Sequence, residues 1–164
     1  MRRRCIALVA AGVGASWARA SPASGDGAAF AARALALRDE AIRRGDQPYG
    51  AVVVCEGRIV GEGASAVILA GDPTAHAELN VVRRACASFD RDTLAGTILV
   101  TSTEPCPMCT GAIFWSGIGT VVYALGEAAF YRLVERELPG GDRLLVHAAD
   151  LLGEEAADYD RITD

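Results

Sequence analysis

The sequence predicts an α/β domain, a three-layer α/β/α sandwich built on a mixed sheet of about five strands. Three observations predict it. Gly50-Ala51-Val52-Val53-Val54-Cys55 is a continuous apolar run, the pattern of a strand buried on both faces. Glu56-Gly57-Arg58 is a turn signal directly behind it, so the sheet opens with a hairpin. Beyond the hairpin, helical and strand patterns alternate.

The elements follow in order. Ala28 to Arg44 reads as an amphipathic helix whose apolar face carries Phe30, Leu35, Leu37, Ala41 and Ile42, and Gly45-Asp46 ends it. Gly50–Cys55 and Ile59 to Glu62 are the first two strands, and a loop runs from Gly63 to Pro73. A helix opens at His76 and runs to about Ser88, with Leu79, Val82 and Ala85 facing inward and Asp72 or Thr74 as its cap. Thr97 to Thr101 is a third strand, rich in β-branched residues. Cys106 to about Trp115 is a second core helix, and Thr120 to Ala124 a fourth strand. Glu127 to Leu138 is a long helix stopped by Pro139-Gly140-Gly141. Leu144 to His147 reads as a fifth strand, followed by a short acidic helix.

The 164 residues suffice for one domain with its own core. Residues 1–20 have the pattern of a signal peptide, possible twin-arginine type included: a basic Arg2-Arg3-Arg4, a weakly apolar stretch from Cys5 to Trp17, and a small-x-small site at Ala18-Arg19-Ala20. Residues 21–27 then form a flexible linker and 28–164 the folded domain. On that reading the protein is periplasmic or secreted; if translation starts downstream of the leader, it is cytoplasmic. No apolar run reaches the ~18 residues of a membrane span.

The formal charge is −5, and every basic residue is arginine. Cleavage after Ala20 leaves 12 arginines against 21 acids, a charge of −9. Such a balance argues against broad binding of nucleic-acid backbones, which relies on clustered Lys and Arg. Of the five cysteines, Cys5 lies in the leader, and Cys55 and Cys86 read as buried small hydrophobes rather than a disulfide pair.

Chemistry concentrates in two motifs. His76-Ala77-Glu78 is the first; Pro105-Cys106-Pro107-Met108-Cys109 is the second, with Cys106 twenty-eight positions after Glu78. Together they offer three metal ligands, His76, Cys106 and Cys109, and one unattached carboxylate. A closed structural zinc site needs four protein ligands, whereas a catalytic site takes three and keeps a position open. The chain has only two histidines, so the choice of imidazole is narrow. Cys106 and Cys109, at i and i+3, share a helix face in a first turn, where amide N–H groups and the helix dipole favour thiolates. One Zn²⁺, two thiolates and a neutral imidazole sum to zero charge. Glu78 stands too close to His76 to be an easy fourth ligand and is placed to carry protons. A redox Cys-x-x-Cys pair or half of a structural zinc site are the alternatives. The first leaves His76 and Glu78 without a role, and the second needs a further Cys or His.

These residues resemble the zinc-dependent cytidine and deoxycytidylate deaminase superfamily, whose signature is His-x-Glu followed by Pro-Cys-x-x-Cys. The resemblance spans about Ala28 to Leu152. Asp72 to Glu78 and Ser102 to Cys109 are similar to the branch holding guanine deaminases, yeast-type cytosine deaminases and tRNA adenosine deaminases. It implies the cytidine deaminase-like α/β/α fold, a homodimer, one Zn²⁺ per chain on His76, Cys106 and Cys109, and Glu78 as proton shuttle. The implied reaction is water attack on an amino-bearing ring carbon and loss of ammonia. The Cys106 N–H would steady the attacking oxygen, and the Ser102 carbonyl would receive the ammonia. Tyr49 and Trp115 hold positions that flank a purine ring in guanine deaminases, although each also reads as an ordinary packing residue. Thr110-Gly111-Ala112-Ile113-Phe114-Trp115 also looks more like guanine than tRNA deaminases.

Two departures bear on substrate. Ser65 stands eleven residues before His76, where the family usually has asparagine. Glu127-Ala128-Ala129-Phe130-Tyr131-Arg132 replaces the acidic segment of guanine deaminases. The expectation is a zinc-dependent deaminase of a nucleobase or related small heterocycle, guanine-like first. A tRNA adenosine deaminase and a cytosine or nucleoside deaminase are the alternatives within the class. An inactive zinc-binding protein is the alternative outside it.

Overall fold

The computed structural model describes residues 26–126 and the strand residues 159–161. Elements follow in the order α1 (Asp26–Arg43), β1 (Gly50–Cys55), β2 (Arg58–Ala64), α2 (Val67–Ala70), α3 (Ala77–Ser88), α4 (Arg91–Ala95), β3 (Ile98–Thr101), α5 (Pro107–Ser116), β4 (Thr120–Tyr123) and β5 (Tyr159–Arg161). The sheet order is β2-β1-β3-β4-β5. β1 pairs antiparallel with β2 and with β3, whereas β3–β4 and β4–β5 are parallel. This is the mixed sheet the sequence predicts.

The apolar run of β1 is buried at every position because both faces are covered. Val52 and Val54 join Ala31 and Leu37 of α1, with Val100 and Val122, in one core. Ala51 and Val53 join Ala77, Val81, Val82 and Ala85 of α3, Ile113 of α5, and Leu99 and Val121 in the other. Alternate residues of one strand therefore feed opposite layers, as the two-residue strand period requires. Glu56 and Gly57 both take positive φ (49° and 71°), the pattern of a tight two-residue hairpin turn.

Several expectations are corrected. α1 begins at Asp26, inside the segment read as linker. Its buried face is Ala31, Ala34, Leu37 and Ala41, and Ile42 is 52% exposed, because the helix is rotated by about one position from the face drawn on Leu35 and Ile42. The 63–73 loop contains the short helix α2 and the end of β2. Neither Asp72 nor Thr74 caps α3. His76 is the N-cap residue without a side-chain bond, while Asp72 Oδ1 accepts from Thr74 N and Oγ1 (2.8 and 2.7 Å) and closes a local turn. β5 lies at Tyr159–Arg161, in the terminal acidic segment. The leader, the helix over 127–138 and the strand over 144–147 lie outside the described residues. Cys86 carries a free, half-buried thiol, so Cys55 and Cys86 are not joined to each other, but Cys55 is disulfide-bonded, which corrects its reading as a simple buried hydrophobe.

Candidate active site

Two helix N-termini meet at the ends of the central strands. The backbone at His76 is extended (φ −64°, ψ 153°) and turns helical at Ala77. Cys106 repeats this geometry (φ −65°, ψ 165°), with Pro107 in the first helical position, where no backbone donor is needed. Each motif thus presents its ligand from the residue that starts a helix, next to unpaired amides.

Local bonds fix these starts. Asn80 spans the chain before His76: its Nδ2 donates to Ala64 O and Ala75 O (3.0 and 3.1 Å), and its N–H donates to His76 O at 2.9 Å. On the other motif, Thr110 N donates to Cys106 O (2.9 Å) and Thr110 Oγ1 to Pro105 O (3.2 Å). Glu104 N donates to Leu125 O, which ties the loop before Cys106 to the segment after β4.

The three ligand atoms lie within 4.8 Å of one another. His76 Nδ1 is 3.6 Å from Cys106 Sγ and 3.6 Å from Cys109 Sγ. Tetrahedral zinc with Zn–S of about 2.3 Å and Zn–N of about 2.0 Å places nitrogen and sulfur about 3.5 Å apart. The side chains fit that ion in spacing and donor type, and Nδ1 is the ring nitrogen turned toward both sulfurs.

Electrostatics suit the same ion. The Cys106 thiol is pulled down to about 4, first by a hydrogen bond from Cys109 S–H, then by His76 and the Cys109 amide, against the effect of burial. Cys109 moves up in turn, because it holds the proton shared with Cys106 and is buried near Glu78. One thiolate and one thiol in contact form a ready-made dication site, since a metal displaces the shared proton. His76 is raised by the Cys106 thiolate.

Glu78 is 4% exposed in the first turn of α3. Its Oε2 lies 3.7 Å from Cys109 Sγ, and its Oε1 accepts from Thr101 Oγ1 at 2.9 Å. Burial raises its pKa, opposed by its own backbone N–H and by Thr101. A carboxyl whose proton affinity is raised beside a metal site is equipped to take and return a proton.

The other expected residues fall as follows. The Tyr49 ring is nearly parallel to that of His76 (16°), with centroids 6.3 Å apart. Ser102 is buried at the end of β3, its N–H on Gly50 O (2.9 Å) and its Oγ accepting from Gly50 N (3.1 Å). Ser65 is fully buried; its hydroxyl donates to Asp46 Oδ1 (2.7 Å) and its N–H to Tyr49 O (3.0 Å). Trp115 is 75% exposed and meets Phe114 edge-on, so it is not a core residue of α5.

Sequence reasoning missed Asp46, Thr101 and Asn80. Asp46 accepts from Gln47 N, Ser65 Oγ and Leu69 N, which joins the loop before Tyr49 to the loop before His76. A single acid after a helix-ending glycine gives no sign of partners about twenty positions away.

Comparison with known proteins extends this picture. The family model described as the cytidine and deoxycytidylate deaminase zinc-binding region matches residues 26–125. Guanine deaminase of Bacillus subtilis is 46% identical over 96 residues, covering 58% of this chain and 62% of the relative. The probable cytosine deaminase of Schizosaccharomyces pombe is 35% identical over 127 residues, covering 76% of this chain and 75% of the relative. A tRNA-specific adenosine deaminase of Haemophilus influenzae is 40% identical over 57% of this chain and 55% of its own length. The chain therefore spans less than two thirds of two of these relatives. Among solved structures, the Bacillus subtilis guanine deaminase superposes with a TM-score of 0.57 at 36% identity, covering 72% of this chain and 81% of that one. A guanine deaminase from Nitrosomonas europaea gives 0.65 at 26% identity, covering 81% and 75%.

Proposed function

Because the chain belongs to the cytidine and deoxycytidylate deaminase zinc-binding family, we propose that it is a zinc-dependent hydrolytic deaminase releasing ammonia from an amino-bearing nucleobase or related heterocycle, guanine first. The observation that carries this reading is the buried Glu78 carboxylate, 3.7 Å from Cys109, beside three ligands at zinc spacing.

His76 Nδ1, Cys106 Sγ and Cys109 Sγ would hold the ion. Bound there, zinc supplies a Lewis acid that lowers the pKa of water toward about 7. Glu78 accepts a proton from the attacking water and passes it to the ring nitrogen, then takes a second proton from the hydroxyl formed at the attacked carbon and passes it to the leaving amine. Burial matters here, since a carboxylate that is too acidic would keep no proton to return. The Cys106 N–H, at a helix start, is free of an intrahelical partner and suits a developing negative oxygen. The Ser102 carbonyl is assigned the departing ammonia. Tyr49 offers an aromatic face beside His76, and Trp115 a second one, for a flat ring.

Guanine is placed first because the Bacillus and Nitrosomonas guanine deaminases are among the similar proteins and because Tyr49 is stacked beside the ligand histidine. A tRNA substrate is the second reading, on the tRNA-specific relatives, but a lysine-free chain of charge −5 argues against broad phosphate-backbone binding. The protein is read as a homodimer, which sedimentation of the zinc-loaded chain tests. No helix among the described residues is long and apolar enough to cross a membrane.

The experiment is an ammonia-release screen of the zinc-loaded protein over guanine, cytosine, isocytosine, adenine, pterins, their nucleosides and a tRNA anticodon stem-loop. Turnover of a free base, guanine foremost, supports the proposal. Turnover of the stem-loop alone overturns the small-molecule assignment, and no release from any of them overturns the activity.

A further inference from the structure

A carboxylate that shuttles protons must present one oxygen in a fixed direction, and the two oxygens of Glu78 have different neighbours. Oε1 accepts a hydrogen bond from Thr101 Oγ1 at 2.9 Å, while Oε2 faces Cys109 Sγ. Thr101 is the last residue of β3 and is fully buried. Its hydroxyl has one proton and two acceptors in reach, Glu78 Oε1 and Gly50 O, the latter at 3.3 Å. The shorter contact, to a carboxylate, is also the stronger kind of bond and takes the proton.

Thr101 is itself held firmly. It pairs with Ala51 on β1 and with Tyr123 on β4, and its carbonyl accepts from Ala124 N at 3.1 Å. A β-branched side chain at a buried strand position has little χ1 freedom. The hydroxyl therefore comes from the centre of the sheet, whereas Glu78 and the three ligands come from the two helix starts. It is a third, independent point of reference for the carboxylate.

We propose that Thr101 is the positioning residue of the acid–base carboxylate: it captures Oε1 and so commits Oε2 to the side where protons move. The proposal rests on the reading of Glu78 as proton shuttle. Thr101 needs no contact with substrate or metal for this role. Its effect is on the orientation of Glu78, and misplacing a reacting group by about 1 Å can cost on the order of 100-fold in rate.

Thr101→Val keeps the shape and removes the hydroxyl, while Thr101→Ser keeps the hydroxyl and removes a methyl. Packing and positioning thus predict opposite orders. If Thr101 only fills space, Val behaves like the wild type and Ser is the damaged variant. If Thr101 positions Glu78, Val loses about 10- to 100-fold in kcat with KM nearly unchanged and full zinc content, and Ser recovers most of the loss. Steady-state kinetics on the best substrate of the screen, guanine first, read this split. A second readout needs no turnover: in zinc-loaded protein labelled with ¹³C at glutamate carboxyls, the Glu78 resonance shifts in Thr101→Val and returns in Thr101→Ser. Wild-type kcat and an unshifted Glu78 signal in the Val variant overturn the proposal, as does a Ser variant no better than Val. Should Val fail to fold, Thr101→Ala against Thr101→Ser makes the same comparison. Glu78→Gln separates the two levels. If it is inactive while Thr101→Val is fully active, only the positioning role fails. If Glu78→Gln itself turns over normally, the reading of Glu78 fails.

Discussion

Replacing Gly63 with alanine would push directly on the turn that carries the site. Gly63 lies on β2, paired with Ala51. A Cβ built there runs into the Ala77 carbonyl oxygen, and stands 3.1 Å from both Cβ and N of Val81. Two of these obstacles are backbone atoms, so no rotamer change relieves the clash. Ala77 separates His76 from Glu78, and non-bonded heavy atoms rest about 3.5 Å apart, so the first turn of α3 must withdraw by roughly 1 Å. Overpacking of this kind costs about 1–3 kcal/mol. For a chain of this length that lowers Tm by about 2–12 °C. The same withdrawal displaces His76 Nδ1 relative to the two sulfurs, each now 3.6 Å away, from the spacing a single zinc ion needs. Calorimetry and zinc determination on the purified variant read the two effects separately. A variant that melts with the wild type and keeps one zinc per chain would refute the claim that β2 sets the position of the His76 turn.

Other predictions address different parts of the account. Cys106→Ala removes a ligand and should purify with little zinc, which metal analysis checks; full occupancy would remove Cys106 from the ligand set. Asp46→Asn puts an NH₂ group among donors that need an acceptor and should cost about 1–3 kcal/mol at neutral pH, measured by urea unfolding. Asp46 is buried, which alone would raise its pKa, but the bonds from Leu69 N, Ser65 Oγ, Gln47 N and Ile68 N outweigh this and lower it. Its contribution is therefore full above the unfolded carboxylate value of about 4 and fades as pH falls through the lower folded value, so the gap between variant and wild type should narrow only in acid. Arg33 binds Glu62 through two nitrogens (2.8 and 2.6 Å) across a partly exposed surface; Arg33→Ala should cost no more than about 1 kcal/mol and leave zinc binding intact.

The sequence made some parts of this molecule legible and hid others for identifiable reasons. Cys106 and Cys109 could be read because i and i+3 share one helix face, and His76 and Glu78 because His-x-Glu is the short motif that accompanies such a pair. The β1 run was legible because burial on both sides leaves an unbroken apolar string. α2 and α4 are four and five residues long and carry no helical period to detect. Ile42 and Trp115 show the limit of pattern: an apolar residue in a helix looks the same whether it is covered or 52% and 75% exposed. Thr101 and Asp46 went unnoticed because their partners are distant in the chain, Glu78 lying 23 positions from Thr101 and Ser65 lying 19 from Asp46.

The central claim is that Glu78 moves protons beside a zinc ion it does not bind. Glu78→Gln tests it directly, with zinc content and ammonia release measured on the same preparation. The account predicts one zinc per chain and a loss of turnover of at least about 100-fold. Zinc lost along with activity would make Glu78 part of the metal site, and full zinc with undiminished ammonia release would contradict the mechanism.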